Sequence, residues 1–503
     1  MQILKRFYDV FGALRACFAL PPKHDNLTIQ PLRRKDKVFL GAVVLLCIGL
    51  CVFQFWLGFP GYHIIGDTYN SIANAKNNWH PVFIAYVTEW LYAIFGKHLY
   101  YLFLCNLIPF YTGLCFVVCG LYIRFRSPIA LLGIFPIFIG NIYFQNFIQY
   151  HSFALPMMLF CLYAMALFYF LTTSVLHYTR FWNRAFWTSF FILMFCTILW
   201  RHNAIFSVFP LWIVLSFVFL QNRGLKGKSF YKPLTILMLT SAMLCLAIVI
   251  IVPKILTKGQ SYPSNHLLLL QIAGACVPAD DESCFLQEWY YGGKSFVDVK
   301  AAYAKDPRNA DPFNVPWWDK QQVLFNPGQK LPHLTSQWLH AIAKYPLNFL
   351  QHELGFINAM WIQTPSWIFD AKRLQNKPSH PWHVSVTNSF PENERSITLT
   401  PLREQIYTFL FEHKILLNHI VGVLIGVILL VLSSILLIAK KRVNALLVFT
   451  FSAAFAAFGS ALMIALFSPV PETRYMPPVL PVSLMALIGF VAFVWDWRAK
   501  PAH

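Results

Sequence analysis

Between residues 38 and 253, and again from 414 to 495, apolar residues run in near-unbroken stretches separated by short polar breaks. A helix needs about 20 consecutive apolar residues to cross a bilayer. Ten stretches meet or approach that length: 38–58, 99–123, 128–145, 152–173, 185–200, 204–221, 233–253, 414–438, 443–467 and 476–495. The pattern predicts an all-α polytopic membrane protein with about ten transmembrane helices. Two polar interruptions are much longer than a connection requires. One spans 60–98, after the first stretch; the other spans 254–413, between the seventh and the eighth. The second is large enough for a small domain and predicts a mainly α external loop domain. The chain thus divides into an N-terminal segment 1–37, a bundle 38–253 that includes the loop 60–98, the loop domain 254–413, and C-terminal helices with a short tail, 414–503.

Two finer patterns follow. Ile3, Phe7, Val10, Phe11, Leu14 and Phe18 recur at helical spacing with basic residues among them. That predicts an amphipathic helix on the membrane surface, not a cleavable signal. Within the loop domain, LTSQWLHAIAKYPLNFLQHELGFI (334–357) reads as a helix broken at its proline, and QNKPSHPWHVSVTNSFPENERS (375–396) as a loop.

Charge sets the orientation. The chain is 57% hydrophobic and only 12% charged, against about 25% charged for soluble domains. A net charge of +19 would suggest nucleic acid on a soluble chain; here it is topogenic, because Lys and Arg collect in cytoplasmic loops. With a cytoplasmic N-terminus, Arg33, Arg34, Lys35 and Lys37 precede the first span on the inside. The same side receives Arg124 and Arg126, Arg180 and Arg184, Arg223, Lys226, Lys228 and Lys232, and Lys440, Lys441 and Arg442. Both termini are then cytoplasmic. Of the 21 Asp and Glu, all but Asp9, Asp25, Asp36 and Asp496 fall in external segments, and none falls mid-span. Ion-coupled carriers keep an acid mid-span, so this pattern speaks against a carrier. Of the eleven cysteines, only Cys276 and Cys284 lie in an external segment, where a disulfide closing CVPADDESC is chemically permitted. No CxxC or His-rich metal spacing occurs.

Candidate chemistry gathers at the outer ends of the spans. GDTYNSIANAKNNWHPVF (66–83) carries Asp67, Lys76 and His80 in a stretch flanked by apolar segments. Asp67 is equally suited to cap a helix through YNSIANAK. Pro81 restricts His80 to extended backbone and can open the helix VFIAYVTEWLYAIF, which is apolar nearly all round apart from Glu89 and so belongs at the interface. Trp200-Arg201-His202-Asn203 joins two spans with almost no loop. Arg201 has the bidentate fork that holds phosphate; snorkelling to headgroups is the plainer reading, although an outer Arg runs against the positive-inside bias. SPVPETRYMPPVLP (468–481) places a second outer Arg, Arg474, beside Tyr475. Tyr150 and His151 open a later span, where headgroup anchoring is the alternative role.

Taken in order, these elements resemble the GT-C superfamily of membrane glycosyltransferases, which includes protein O-mannosyltransferases and the aminoarabinose transferases of lipid A. The resemblance covers 38–221 and 443–495. It rests on Asp67 followed by His80-Pro81-Val82-Phe83, on Arg201-His202-Asn203-Ala204, and on Arg474-Tyr475 before a proline-rich entry to the last helix. Val82 stands where the family pattern has a second proline, and His151 stands where relatives carry an acid. The resemblance implies a GT-C-like bundle and inverting transfer of a sugar from a polyprenyl-phosphate donor to a glycan, lipid or protein acceptor. It also implies a site on the periplasmic face of a bacterial inner membrane. It assigns catalysis to Asp67 and His80, and the donor phosphate to Arg201, Asn203, Arg474, Tyr475 and Lys76. Tyr150, His151, Glu89 and His202 are further candidates. No cofactor is implied, and a divalent metal is left open. A lipid-linked oligosaccharide polymerase or ligase, a flippase of a lipid-linked anion, and a non-enzymatic assembly protein are the competing readings.

Overall fold

The computed structural model describes residues 32–59, 69, 72–73, 76, 81–134, 150–173, 175–176, 178–201, 203–222, 228–259, 262–314, 323–326, 328–363, 381–395, 397–412, 419–439, 444–471, 475–476 and 478–498. Among them, all regular structure is helical apart from one antiparallel bridge between Tyr290 and Phe325. The bundle comprises α1 (Arg34–Gly58), α2 (Val82–Phe95), α3 (Tyr100–Phe125), α4 (Tyr150–Thr172), α5 (Arg180–Trp200), α6 (Ala204–Asn222) and α7 (Lys228–Leu256). The loop segment adds α8 (Ser264–Cys276), α9 (Phe296–Lys305), α10 (Leu334–Lys344), α11 (Pro346–Asn358), α12 (Pro381–Asn388) and α13 (Pro401–Glu412). The chain then closes with α14 (His419–Ala439), α15 (Ala445–Phe467) and α16 (Val479–Arg498).

Eight of these helices are long and apolar enough to cross a membrane: α1, α3, α4, α5, α7, α14, α15 and α16. The protein is therefore an α-helical integral membrane protein. Two expected spans differ. The stretch 128–145 opens as a 3-10 helix, Pro128–Gly133, because Ser127 caps the Ile129 amide and Pro128 sits in the first turn; residues 135–149 lie outside the described residues. The apolar part of α6, Ala204–Phe217, is shorter than a span, yet its Ala204, Val208, Leu211 and Val214 are fully buried in the bundle.

The two ends of the bundle are distinct. At one end, Asp36 in the first turn of α1 accepts hydrogen bonds from Tyr122 (3.0 Å) and Arg126 (2.8 Å) at the end of α3, while Arg124 pairs with Asp496 at the end of α16. Arg180, Arg184 and Lys232 open α5 and α7 at this same end. At the other end, Arg403 donates to the last carbonyls of α1, on Trp56 and Phe59, and Tyr407 donates to Leu57 O. Glu394 receives the Leu99 amide (2.7 Å) and meets His98 (2.9 Å), capping the start of α3. A carboxylate suits that helix end, where amides lack partners. The described part of the loop segment thus docks at the end opposite the basic cluster.

Helix α3 runs parallel to α4. Gly113 lies against Cys161, and Gly120 against Phe168 and Leu171. A Cβ at Gly113 would come within 2.9 Å of the Cys161 backbone, so glycine is what lets these two helices touch. Hydroxyls tie the interior together: Tyr163 donates to Ser207 O (2.8 Å), Ser207 meets Ser460 (2.6 Å), and Ser483 donates to Gly422 O (2.6 Å).

The loop segment does not keep a core of its own. Leu269, Ile272, Trp289, Phe325 and Met360 share one buried cluster with Val423, Ala461, Ile464 and Val479 of the spans. Gln271 donates to Leu466 O (2.9 Å), Trp361 to Ala461 O (3.2 Å), and the Ala310 amide to Pro469 O (3.1 Å). Cys276 and Cys284 form a disulfide. Asp281, inside that ring, accepts from Lys344 (2.8 Å) and Tyr345 (2.9 Å), joining it to α10 and the break before α11. That break falls at Tyr345–Pro346, where the proline was expected to interrupt the helix. The stretch 375–396 differs from the loop reading. Pro381 opens a helix there, since its fixed φ suits a first turn, and His383 of that helix stacks on Tyr69 of the first loop; residues 375–380 and 396 lie outside the described residues.

Candidate functional site

Helices α5 and α6 meet at an abrupt corner. Arg201 is extended (φ −154°, ψ 141°), and its carbonyl takes the Ala204 amide that starts α6. The corner draws Arg201 inward, leaving it 8% exposed. Its guanidinium lies 4.8 Å from the centre of the Tyr475 ring, a cation–π distance. Trp200, also buried, meets the edge of Phe83 at 6.2 Å. Asn203 Oδ1 is buried and has no hydrogen-bond partner among the described residues.

Arg201 sits at the head of an apolar groove. Val82 and Phe83 of α2, Leu199 of α5, and Val249, Val252 and Leu256 of α7 line it. Three helices converge here because α2 is too short to cross and lodges between α5 and α7. Its Val82, Ile84, Ala85, Thr88 and Leu91 face inward, and Trp90, Ile94 and Phe95 face outward. Tyr86 of α2 donates to Leu256 O (3.0 Å), fixing the groove's rim. A buried cation thus borders a small apolar cleft between α2, α5 and α7.

Of the residues singled out in the sequence, the structure brings Arg201, Tyr475 and the Pro81–Phe83 turn together. Lys76 and Glu89 pair with each other: Lys76 Nζ donates to both carboxylate oxygens at 2.7 and 2.8 Å and lies 4.5 Å over the Tyr86 ring. Glu89 therefore already neutralises the Lys76 charge. The Lys76 carbonyl accepts the Lys258 and Gly259 amides, latching the first loop to the exit of α7. Tyr150 and His151 begin α4 at the loop end; nothing of their side chains is described. Asp67, His80, His202 and Arg474 lie outside the described residues, as does the N-terminal stretch 1–31.

One described residue of the first loop, Tyr69, is also covered by the loop segment. Tyr69, two residues past Asp67, is buried and stacks on His383 of α12 (4.0 Å, 14° between planes), and Thr387 of α12 reaches its hydroxyl at 3.4 Å. Tyr92 of α2 donates to Ile72 O (3.2 Å). Sequence reasoning did not find this cover, because nothing in 375–396 marks a partner for Tyr69.

It also missed Glu353. This carboxylate is 4% exposed on α11 and accepts from Gln271 (2.9 Å), whose side-chain oxygen accepts from Trp338 (2.9 Å). Burial pushes the Glu353 carboxyl up to about 7, against the opposing pull of the Gln271 amide. The signal was present as a lone acid in the apolar run YPLNFLQHELGFINAMW. Among the described residues, no group of three or more His, Cys, Asp and Glu is placed to hold a metal. No protein-family model, curated protein or solved structure matches the chain.

Proposed function

We propose that this protein is a membrane glycosyltransferase that takes a sugar from a polyprenyl-phosphate donor and passes it to a glycan, lipid or protein acceptor at the loop end of the bundle. The observation that carries the reading is Arg201, buried beside Tyr475 at the head of the groove between α2, α5 and α7. A phosphate suits the guanidinium, and the apolar side chains of α2 and α7 beside it suit an isoprenoid tail. In this reading the acceptor hydroxyl attacks the anomeric carbon while Asp67 takes its proton. The bond from that carbon to the phosphate oxygen breaks, and the phosphate leaves with the electron pair. Arg201, with Arg474 from the same loop as Tyr475, meets the charge that develops on it. Both termini are cytoplasmic and the site is periplasmic, in a bacterial inner membrane.

The test is release of labelled sugar from a panel of polyprenyl-phosphate donors by the purified protein in nanodiscs. The wild type should release sugar from at least one donor. Asp67→Asn should lose release while keeping its folded yield. No release from any donor, with folded protein, would sink the proposal. Release from oligosaccharide donors alone would move it to a polymerase or ligase, and transbilayer movement of donor without release would move it to a flippase.

A further inference from the structure

The loop segment reads in sequence as external, yet part of it lies alongside the spans. The Gln271 amide that binds Glu353 also donates to Leu466 O, one residue from the end of α15. Eight residues beyond Glu353, Trp361 donates to Ala461 O, six residues inside the end of α15. Those six residues correspond to about 9 Å of helix. The chain from α11 into the π-helical turn Ala359–Gln363 therefore descends beside α15 and also packs on α14. Its inward face, with Phe356, Ala359 and Met360, is buried against these spans.

The outward face is bare and predominantly apolar, interrupted by the exposed polar residues Gln351 and Asn358. Leu347, Leu350, Leu354 and Ile362 are 78%, 53%, 55% and 58% exposed. From Tyr345 to Gln363 the only carboxylate is Glu353, and it is turned inward. The exposed residues on the neighbouring span are of the same kind: Leu424 and Ile428 on α14 are 52% and 54% exposed. The turn after α11 packs on α14, which sets this exposed face beside an exposed apolar span at the depth the Trp361 bond sets. Interfacial helices bury their apolar face about 5–10 Å into the headgroup and acyl boundary, a depth that matches the descent.

We infer that α11 and the turn after it enter the leaflet at the loop end and present Leu350, Leu354 and Ile362 to lipid acyl chains, so that this part of the loop segment is a membrane anchor. The inference is independent of the reaction proposed above. The opposite end of the same segment stays in water, where Val297 on α9 is 69% exposed. Lys344, bound to Asp281, marks the level at which the chain leaves water.

The experiment places single cysteines at Leu347, Leu354, Ile362 and Val297 of the full-length protein in phosphatidylcholine vesicles, with the wild-type thiols as the blank. Each cysteine is reacted with a membrane-impermeant sulfonate reagent. In parallel it is labelled with bimane, with quenching by acyl-chain nitroxide lipids. Leu354→Cys and Ile362→Cys should react at least 10-fold more slowly than Val297→Cys, and their bimane should be quenched. Quenching should be strongest at 362, weaker at 354 and weakest at 347. Reaction as fast as at Val297, or bimane that lipid nitroxides do not quench, would overturn the inference. So would slow reaction combined with oxidative cross-linking of Leu354→Cys between copies, which would assign the face to a second copy of the chain.

Discussion

Single side chains carry the largest consequences at this protein's loop end. Arg201 is a cation removed from water, and in the proposed reaction its role turns on charge and fork geometry together. Arg201→Gln should lower sugar release by about 10²–10³-fold, the usual loss when one preorganised donor to a developing anion is removed. Arg201→Lys should recover only part of it, because an ammonium cannot reproduce the fork. Single-turnover release from a saturating donor checks both. Glu353 makes a different prediction. Its carboxyl titrates near 7 when folded, above its ordinary range in an unfolded chain. Between those two values the unfolded state has released its proton and the folded state still holds it, so stability falls as pH rises and levels off above about 7. Glu353→Gln should remove that slope. At pH 8 it should stabilise the protein by up to about 3 kcal/mol, and at pH 4 it should change little. Thermal unfolding in detergent micelles across this range would show it; an unchanged slope would remove Glu353 as its source. Gln271, Trp338, Tyr303 and His352 are the groups that face or adjoin this carboxyl.

Elements here are set by close approach as much as by hydropathy. Gly113 allows α3 to meet α4, while Gly41 on α1 faces open space. Gly113→Ala should destabilise the bundle by about 1–3 kcal/mol, and Gly41→Ala, with the same gain in helix propensity, should be neutral or slightly stabilising. Equal melting temperatures for the two would contradict the tight contact. The Cys276–Cys284 ring closes a separation of eight residues, which corresponds to about 2.5 kcal/mol of loop entropy. Replacing both by serine should loosen Asp281 from Lys344 and Tyr345, and limited proteolysis should then cut near the start of α11. The span 204–221 and the helix α2 show what hydropathy alone leaves open. Both are apolar and short, yet α6 is enclosed and α2 lies at the rim of the groove. Their neighbours decide that, not their composition.

The whole molecule has one charged end and one elaborated end. Asp36, Arg124, Arg126 and Asp496 bind the starts and ends of α1, α3 and α16 into one layer. The loop segment covers the other. A phosphatase reporter inserted at the exposed Gly292–Gly293 turn should be active, and the same reporter at the C-terminus inactive, if the basic end is cytoplasmic. The reverse result would invert the membrane orientation proposed here. The loop segment and α14–α16 share a core, so truncating 254–413 should abolish folded yield of the bundle and not merely remove an appendage.

Much of this architecture is dictated by the chain alone, since lipid accepts only segments whose backbone bonds are satisfied internally. Unbroken apolar runs therefore announce the helices, and the Lys and Arg between them announce which ends lie together. The break at Pro346 was legible too, because proline removes a donor wherever it stands. What the chain did not disclose depends on distant partners. The Tyr69–His383 stack, the convergence of Phe83, Arg201 and Tyr475, and the descent of α11 beside α15 each join residues far apart in sequence. Local pattern fixes how a segment folds, but a groove, a buried charge and a depth in the bilayer are properties of surfaces that meet only after folding.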